Sequence, residues 1–182
     1  MGPILPLLLA SLHPAPPPAL SVQVTAGAAI PAKTVRAAEN QAARAFERAG
    51  VKLVWGAAAN LQLQIVLEEP HGLSTDAAGF ARITPGKTGY AAIFWPAVER
   101  AAEQLQVDPA IVLGAVLAHE TGHLILGPGH APHGIMSPHF GPNEMQLAAR
   151  GELLFDGAQA SRIIQVSAVR QARPAATPGA PE

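Results

Sequence analysis

The stretch His119-Glu120-Thr121-Gly122-His123-Leu124-Ile125-Leu126-Gly127-Pro128-Gly129-His130-Ala131-Pro132-His133-Gly134-Ile135-Met136 decides how the rest of the chain is read. It opens H-E-x-x-H. On a helix, residues four apart share a face, with Cβ atoms roughly 5–6 Å apart. His119 and His123 can then direct imidazole nitrogens at one ion, while Glu120 reaches its open side. Neutral imidazoles suit zinc, and a zinc ion with an open position lowers the pKa of its water to about 7. Glu120 is the candidate general base for that water.

The residues upstream supply the context. D-P-A-I-V-L-G-A-V-L-A, residues 108–118, starts like a helix, with Asp108 as N-cap and Pro109 at the first helical position. Residues 111–118 are apolar on nearly every face, which predicts a helix buried inside a domain. Two histidines and a glutamate in such a helix are costly unless something pairs with them. A metal ion is the natural partner. Gly127-Pro128-Gly129 then stops the helix.

A catalytic zinc takes three protein ligands, and His130, His133, His139 and Glu144 all lie downstream of His123. His130, three residues after Gly127, gives the segment its resemblance to the metzincin clan of zinc peptidases. Their pattern is H-E-x-x-H-x-x-G-x-x-H, followed by a Met-containing turn beneath the metal, and Gly134-Ile135-Met136 resembles that turn. The likeness covers roughly residues 108–140 and extends to small bacterial proteins predicted to be metzincin-like, which carry HExGHLLLG…H…GIM.

The resemblance implies an α+β, zincin/metzincin-like fold, a small mixed sheet packed on helices around a central active-site helix. It also implies zinc (Zn2+) held by His119, His123 and His130, with Glu120 as general base. The activity implied is that of a zinc metalloendopeptidase acting on a peptide or protein. One departure is countable: Leu124, Ile125 and Leu126 separate His123 from Gly127, where the clan has two residues. An added helical residue turns the exit by about 100°, so His133 stays open as an alternative to His130. The gluzincin clan takes its third ligand from a glutamate on a later helix, which keeps Glu144 open as well. The plainer reading of Glu144 is an acidic residue favoured by a helix N-terminus, and of His139 a loop or cleft-rim residue.

Composition narrows the field further. The chain has 182 residues, a net charge of −1 and no cysteine. That predicts one domain with tails, gives nucleic acid no basic footprint, and rules out disulfides and thiolate metal sites. Residues 4–12 form an apolar run of signal-peptide length, without a lysine or arginine near Met1. We therefore expect residues 1–20 to be a leader and Pro-rich linker, 21–168 the metallopeptidase-like domain, and 169–182 a disordered Pro/Ala-rich tail. A leader implies a secreted or periplasmic protein; without one it is cytoplasmic. No other segment is expected to be a transmembrane span.

In chain order, strands are expected at 21–25, 51–55, 61–67, 79–84 and 89–95, and helices at 31–49, 97–106, 142–155 and 157–167, besides the motif helix. Strand, helix, strand at 21–55 predicts a crossover onto a parallel pair. Segments 68–89 and 127–141 are expected to shape a cleft, with one strand near them docking an extended substrate. His71 reads as a surface histidine, and Tyr90, the only tyrosine, is a candidate oxyanion donor. The rival reading is non-catalytic: a zinc site of structural or buffering role, closed by four histidines, His123, His130, His133 and His139.

Overall fold

Alternation builds the sheet. In β3 (Leu61–Val66), Leu61, Leu63 and Ile65 are buried while Gln62 and Gln64 face solvent. The computed structural model describes residues 16–56, 59, 61–69, 78–82 and 89–172. Among them lie β1 (Ala19–Ala26), α1 (Ala32–Arg48), β2 (Lys52–Trp55), β3, β4 (Gly79–Arg82), β5 (Gly89–Phe94), α2 (Trp95–Leu105), α3 (Pro109–Leu126), α4 (Pro142–Arg150) and α5 (Gly157–Ala172). The first part of the expected leader, the C-terminal tail from 173, and the loop carrying His71 fall outside the described residues.

The strands form one sheet in the order β2-β1-β3-β5-β4. β1 runs parallel to both β2 and β3, and β3 parallel to β5, so the expected parallel pair is present. β4 alone is antiparallel, pairing Gly79 with Ile93 and Arg82 with Tyr90, and it is the sheet's edge. The architecture is the expected mixed sheet packed on helices. One face carries the main core, from Val22, Leu63 and Ile93 to Phe46 of α1 and Leu113 and Leu117 of α3. On the other face a small cluster gathers Ala92 and Phe94 with Tyr90 and Ala97.

α3 is the helix around which the others assemble. It packs against α1, α2, α4, α5 and β3 to β5, which is why its sequence is apolar on every side. By length and composition it matches a membrane span, with mean hydropathy 1.4, an outcome the sequence reading did not anticipate. Its place is that of a core helix, since 78% of that window is buried inside the protein. Asp108 accepts a hydrogen bond from the Ala110 backbone N–H at 2.8 Å, and Pro109 opens the first turn. At the other end Gly127, at φ 95°, donates its N–H to the His123 carbonyl.

Three helix boundaries differ from expectation by two residues or more. α4 stops at Arg150, not 155, because Gly151 adopts a left-handed φ of 71° and the Glu152 N–H closes back on the Leu147 carbonyl. Residues 152–156 therefore lie outside any helix, which frees the Leu154 carbonyl to accept from the Ile135 N–H at 3.0 Å. α5 continues to Ala172, past the expected limit of the domain at 168. Its start is fixed reciprocally: Gln159 N–H donates to Asp156 and the Asp156 N–H to the Gln159 side chain. The third change is at α2, which starts at Trp95, two residues before expectation, with Pro96 in its first turn.

The extended α5 has a task at its far end. Arg170 Nη2 donates to the Leu124 carbonyl at 2.9 Å, one of the last-turn carbonyls of α3 that no helical N–H can reach. Replacing Arg170 by Met keeps the stem and removes the donor. We expect this change to lower unfolding stability by about 1–2 kcal/mol. Urea denaturation checks it, and an unchanged midpoint would show that the contact contributes nothing.

Candidate metal centre

The last two turns of α3 carry His119, Glu120 and His123, and the loop that follows carries His130. His119 and Glu120 are buried, at 9% and 4% exposure, His123 is half-buried and His130 exposed. One ring nitrogen from each of His119, His123 and His130 lies within 4.8 Å of the other two, an arrangement compatible with one metal ion. The His119 and His130 rings stack at 5.3 Å, and His123 meets both edge-on.

Backbone carbonyls set the ring orientations. His119 Nδ1 lies 2.7 Å from the Ile135 oxygen, and His123 Nδ1 lies 3.1 Å from the Gly127 oxygen. A carbonyl only accepts, so each Nδ1 carries the hydrogen, and on a neutral ring each Nε2 then presents a lone pair. Those two Nε2 atoms are 2.9 Å apart. Two lone pairs at that distance repel unless a cation lies against both. Protonation is a poor substitute: burial, opposed by the Ile135 hydrogen bond, pushes His119 down to about 4, and burial also lowers His123. The donor set is three neutral imidazoles, which suits zinc.

The same hydrogen bonds explain how His130 arrives despite the added residue after His123. Gly127 at φ 95° and Gly129 at φ 136° turn the chain back through conformations that side chains rarely adopt. The loop is then pinned: Ala131 N–H donates to the Met136 carbonyl, Ser137 N–H to Gly134, and Ile135 N–H to Leu154. Ile135 thus receives from His119 on one side and donates to the 152–156 segment on the other. Met136 is buried against Gly122, where a Cβ would come 2.5 Å from its Sδ, so the turn tucks beneath the helix between the two histidine turns. Phe140 meets the His119 ring edge-on at 5.7 Å.

The remaining candidates go elsewhere. His133 is exposed and outside the cluster. Glu144 accepts from the Gly141 N–H at 3.0 Å, capping α4 as its plainer reading proposed. His139 is exposed on the cleft wall, matching the rim reading. Tyr90 does not serve: its side chain lies on the sheet face away from α3, where its hydroxyl donates to Gln64. The expected segments 68–89 and 127–141 both contribute to the cleft, and sequence reasoning missed only the wall that α2 adds. A cleft of about 1120 Å³ runs over the histidines, bounded by β4, by Ala97, Ala101 and Leu105 of α2, and by residues 137–140. Among the described residues, Glu120 is the one acidic side chain lining it.

Glu120 is held in an unusual state. Its Oε2 is buried without a hydrogen-bond partner, and burial pushes the carboxyl up to about 8. In metal-free protein the group is therefore neutral at neutral pH and ionises as pH rises through about 8. Difference infrared spectroscopy of metal-free protein should show a protonated-carboxyl band that fades over that range and is missing in Glu120→Gln. A Glu120 already ionised well below neutral pH would contradict the described environment.

No family model matches the chain, and no curated protein matches its sequence. Its fold is similar to that of the archaemetzincin of Methanopyrus kandleri, with a TM-score of 0.54 and 16% sequence identity. The likeness covers 85% of this chain and 98% of that one. The mixed sheet, the packing helices and this neighbour together make the fold metzincin-like.

Proposed function

We propose that the protein is a zinc-dependent peptidase in which His119, His123 and His130 hold the metal and Glu120 is the general base. The observation that carries the reading is the pair of hydrogen-bond-oriented histidines whose free nitrogens face each other at 2.9 Å, with His130 beside them. The fold likeness to an archaemetzincin supports it. Among the described residues three imidazoles converge, not four, which favours a site with an open position over a closed structural or buffering one.

A zinc ion bound there supplies Lewis acidity toward a scissile carbonyl and acidity to a water molecule. The chain's own residues do the rest. The Glu120 carboxylate, which no hydrogen bond holds, takes the proton from the attacking water and delivers it to the leaving amine nitrogen. A cation near Glu120 favours its ionised form, turning a buried neutral acid into a usable base. Ile135 and Gly127 hold the imidazoles in one tautomer. The substrate is a peptide or protein segment that adds along the outer edge of β4, the antiparallel strand that walls the cleft.

Metal content measured by plasma mass spectrometry tests the ligand set. Near-stoichiometric zinc is expected in wild type, His133→Ala and Glu144→Ala, and at least a tenfold loss of affinity in His119→Ala, His123→Ala and His130→Ala. Glu120→Gln should retain zinc while casein hydrolysis falls by about 100-fold or more. Full zinc in His130→Ala would remove the third ligand, and retained hydrolysis in Glu120→Gln would remove the mechanism.

A further inference from the structure

We infer that Gly79 is a positioning residue for Glu120, its missing side chain being what allows the carboxylate to lie against strand β4. The inference rests on the proposed role of Glu120 and deepens it.

A Cβ on Gly79 would stand 2.8 Å from Glu120 Oε1 and 3.1 Å from its carboxyl carbon. The first is a closer approach than real Cβ atoms make and the second is tighter than most, so the carboxylate occupies the volume a side chain would fill. Gly79 has no left-handed φ, and it sits in regular antiparallel register opposite Ile93. Backbone conformation therefore does not call for glycine there, and the requirement is one of space. Part of that space lies beside the Ala92 carbonyl, also 2.8 Å from such a Cβ.

Glu120 has little room to yield. It is 4% exposed, so water gives it no alternative site, and a helical residue has few rotamers that avoid the preceding turn. With Oε1 seated against Gly79, Oε2 is fully buried and has no hydrogen-bond partner. The strand thereby limits where the carboxylate can lie. Because β4 is also the edge on which a substrate strand would add, the wall that docks the substrate is the wall that seats the base.

The experiment combines activity with a stability cycle on full-length protein. Gly79→Ala should keep its zinc and its KM for a casein-derived fluorogenic peptide, while kcat falls by about 100-fold, as expected of a displaced catalytic group. The thermal midpoint is then compared across wild type, Gly79→Ala, Glu120→Ala and the double variant, all metal-free. Crowding between the two side chains predicts that Gly79→Ala lowers the midpoint clearly less when residue 120 is Ala. If Gly79→Ala alone does not fold, a folded double variant supports the inference in the same way.

Equal losses in both backgrounds, or failure of both to fold, would assign the glycine to the Ala92 carbonyl and overturn the inference. So would undiminished kcat in Gly79→Ala. Wild type that binds no zinc or cleaves no peptide would sink the proposed function instead, and the metal-free stability cycle still decides the Gly79–Glu120 relation.

Discussion

A histidine pair and a carboxylate buried in an otherwise apolar helix set the terms for everything packed around them. Such groups are tolerable only when their polar atoms find partners. Each buried imidazole has its Nδ1 satisfied by a carbonyl from outside the helical hydrogen-bond ladder, Ile135 for His119 and Gly127 for His123. What remains without a protein partner belongs to residues that line the cleft: the facing Nε2 atoms of the two histidines and Glu120 Oε2, itself buried. The unmet demand is local and matches what a cation and a water molecule provide.

Seen from that demand, several distant features acquire a common purpose. The early end of α4 at Gly151 exists alongside a non-helical segment whose Leu154 carbonyl holds Ile135, and Ile135 in turn orients His119. Glycine at 122 admits Met136 beneath the helix, which anchors the turn carrying Ile135. Arg170, reaching from α5, satisfies a carbonyl at the end of α3 one residue beyond His123. The candidate metal centre therefore depends on contacts from the C-terminal third of the chain, although its first three polar residues lie within one helix.

Much of this was legible in the sequence where the physics is local. Asp108-Pro109 and Gly127 bracket α3 because capping and termination depend on neighbouring residues. Leu61, Leu63 and Ile65 alternate with glutamines because a half-wetted strand has period two. The third histidine could not be settled that way, since three residues after His123 predict a rotated exit, and only the positive φ of Gly127 and Gly129 turns the loop back. Gly151 was readable as a stop, but apolar Leu153 and Leu154 continued the helical pattern and masked it. Tyr90 and β4 were misjudged or left unassigned for one reason: which face a strand residue takes, and which strand lies at the edge, are set by pairing across the sheet.

X-ray absorption spectroscopy of zinc-loaded protein at the zinc edge tests the central claim most directly, because it counts imidazoles around the metal. The account predicts three histidine nitrogens and one oxygen from a non-protein ligand, all at about 2.0–2.1 Å. Four imidazoles, or a shell with fewer than three, would contradict a centre built from His119, His123 and His130 with one position open.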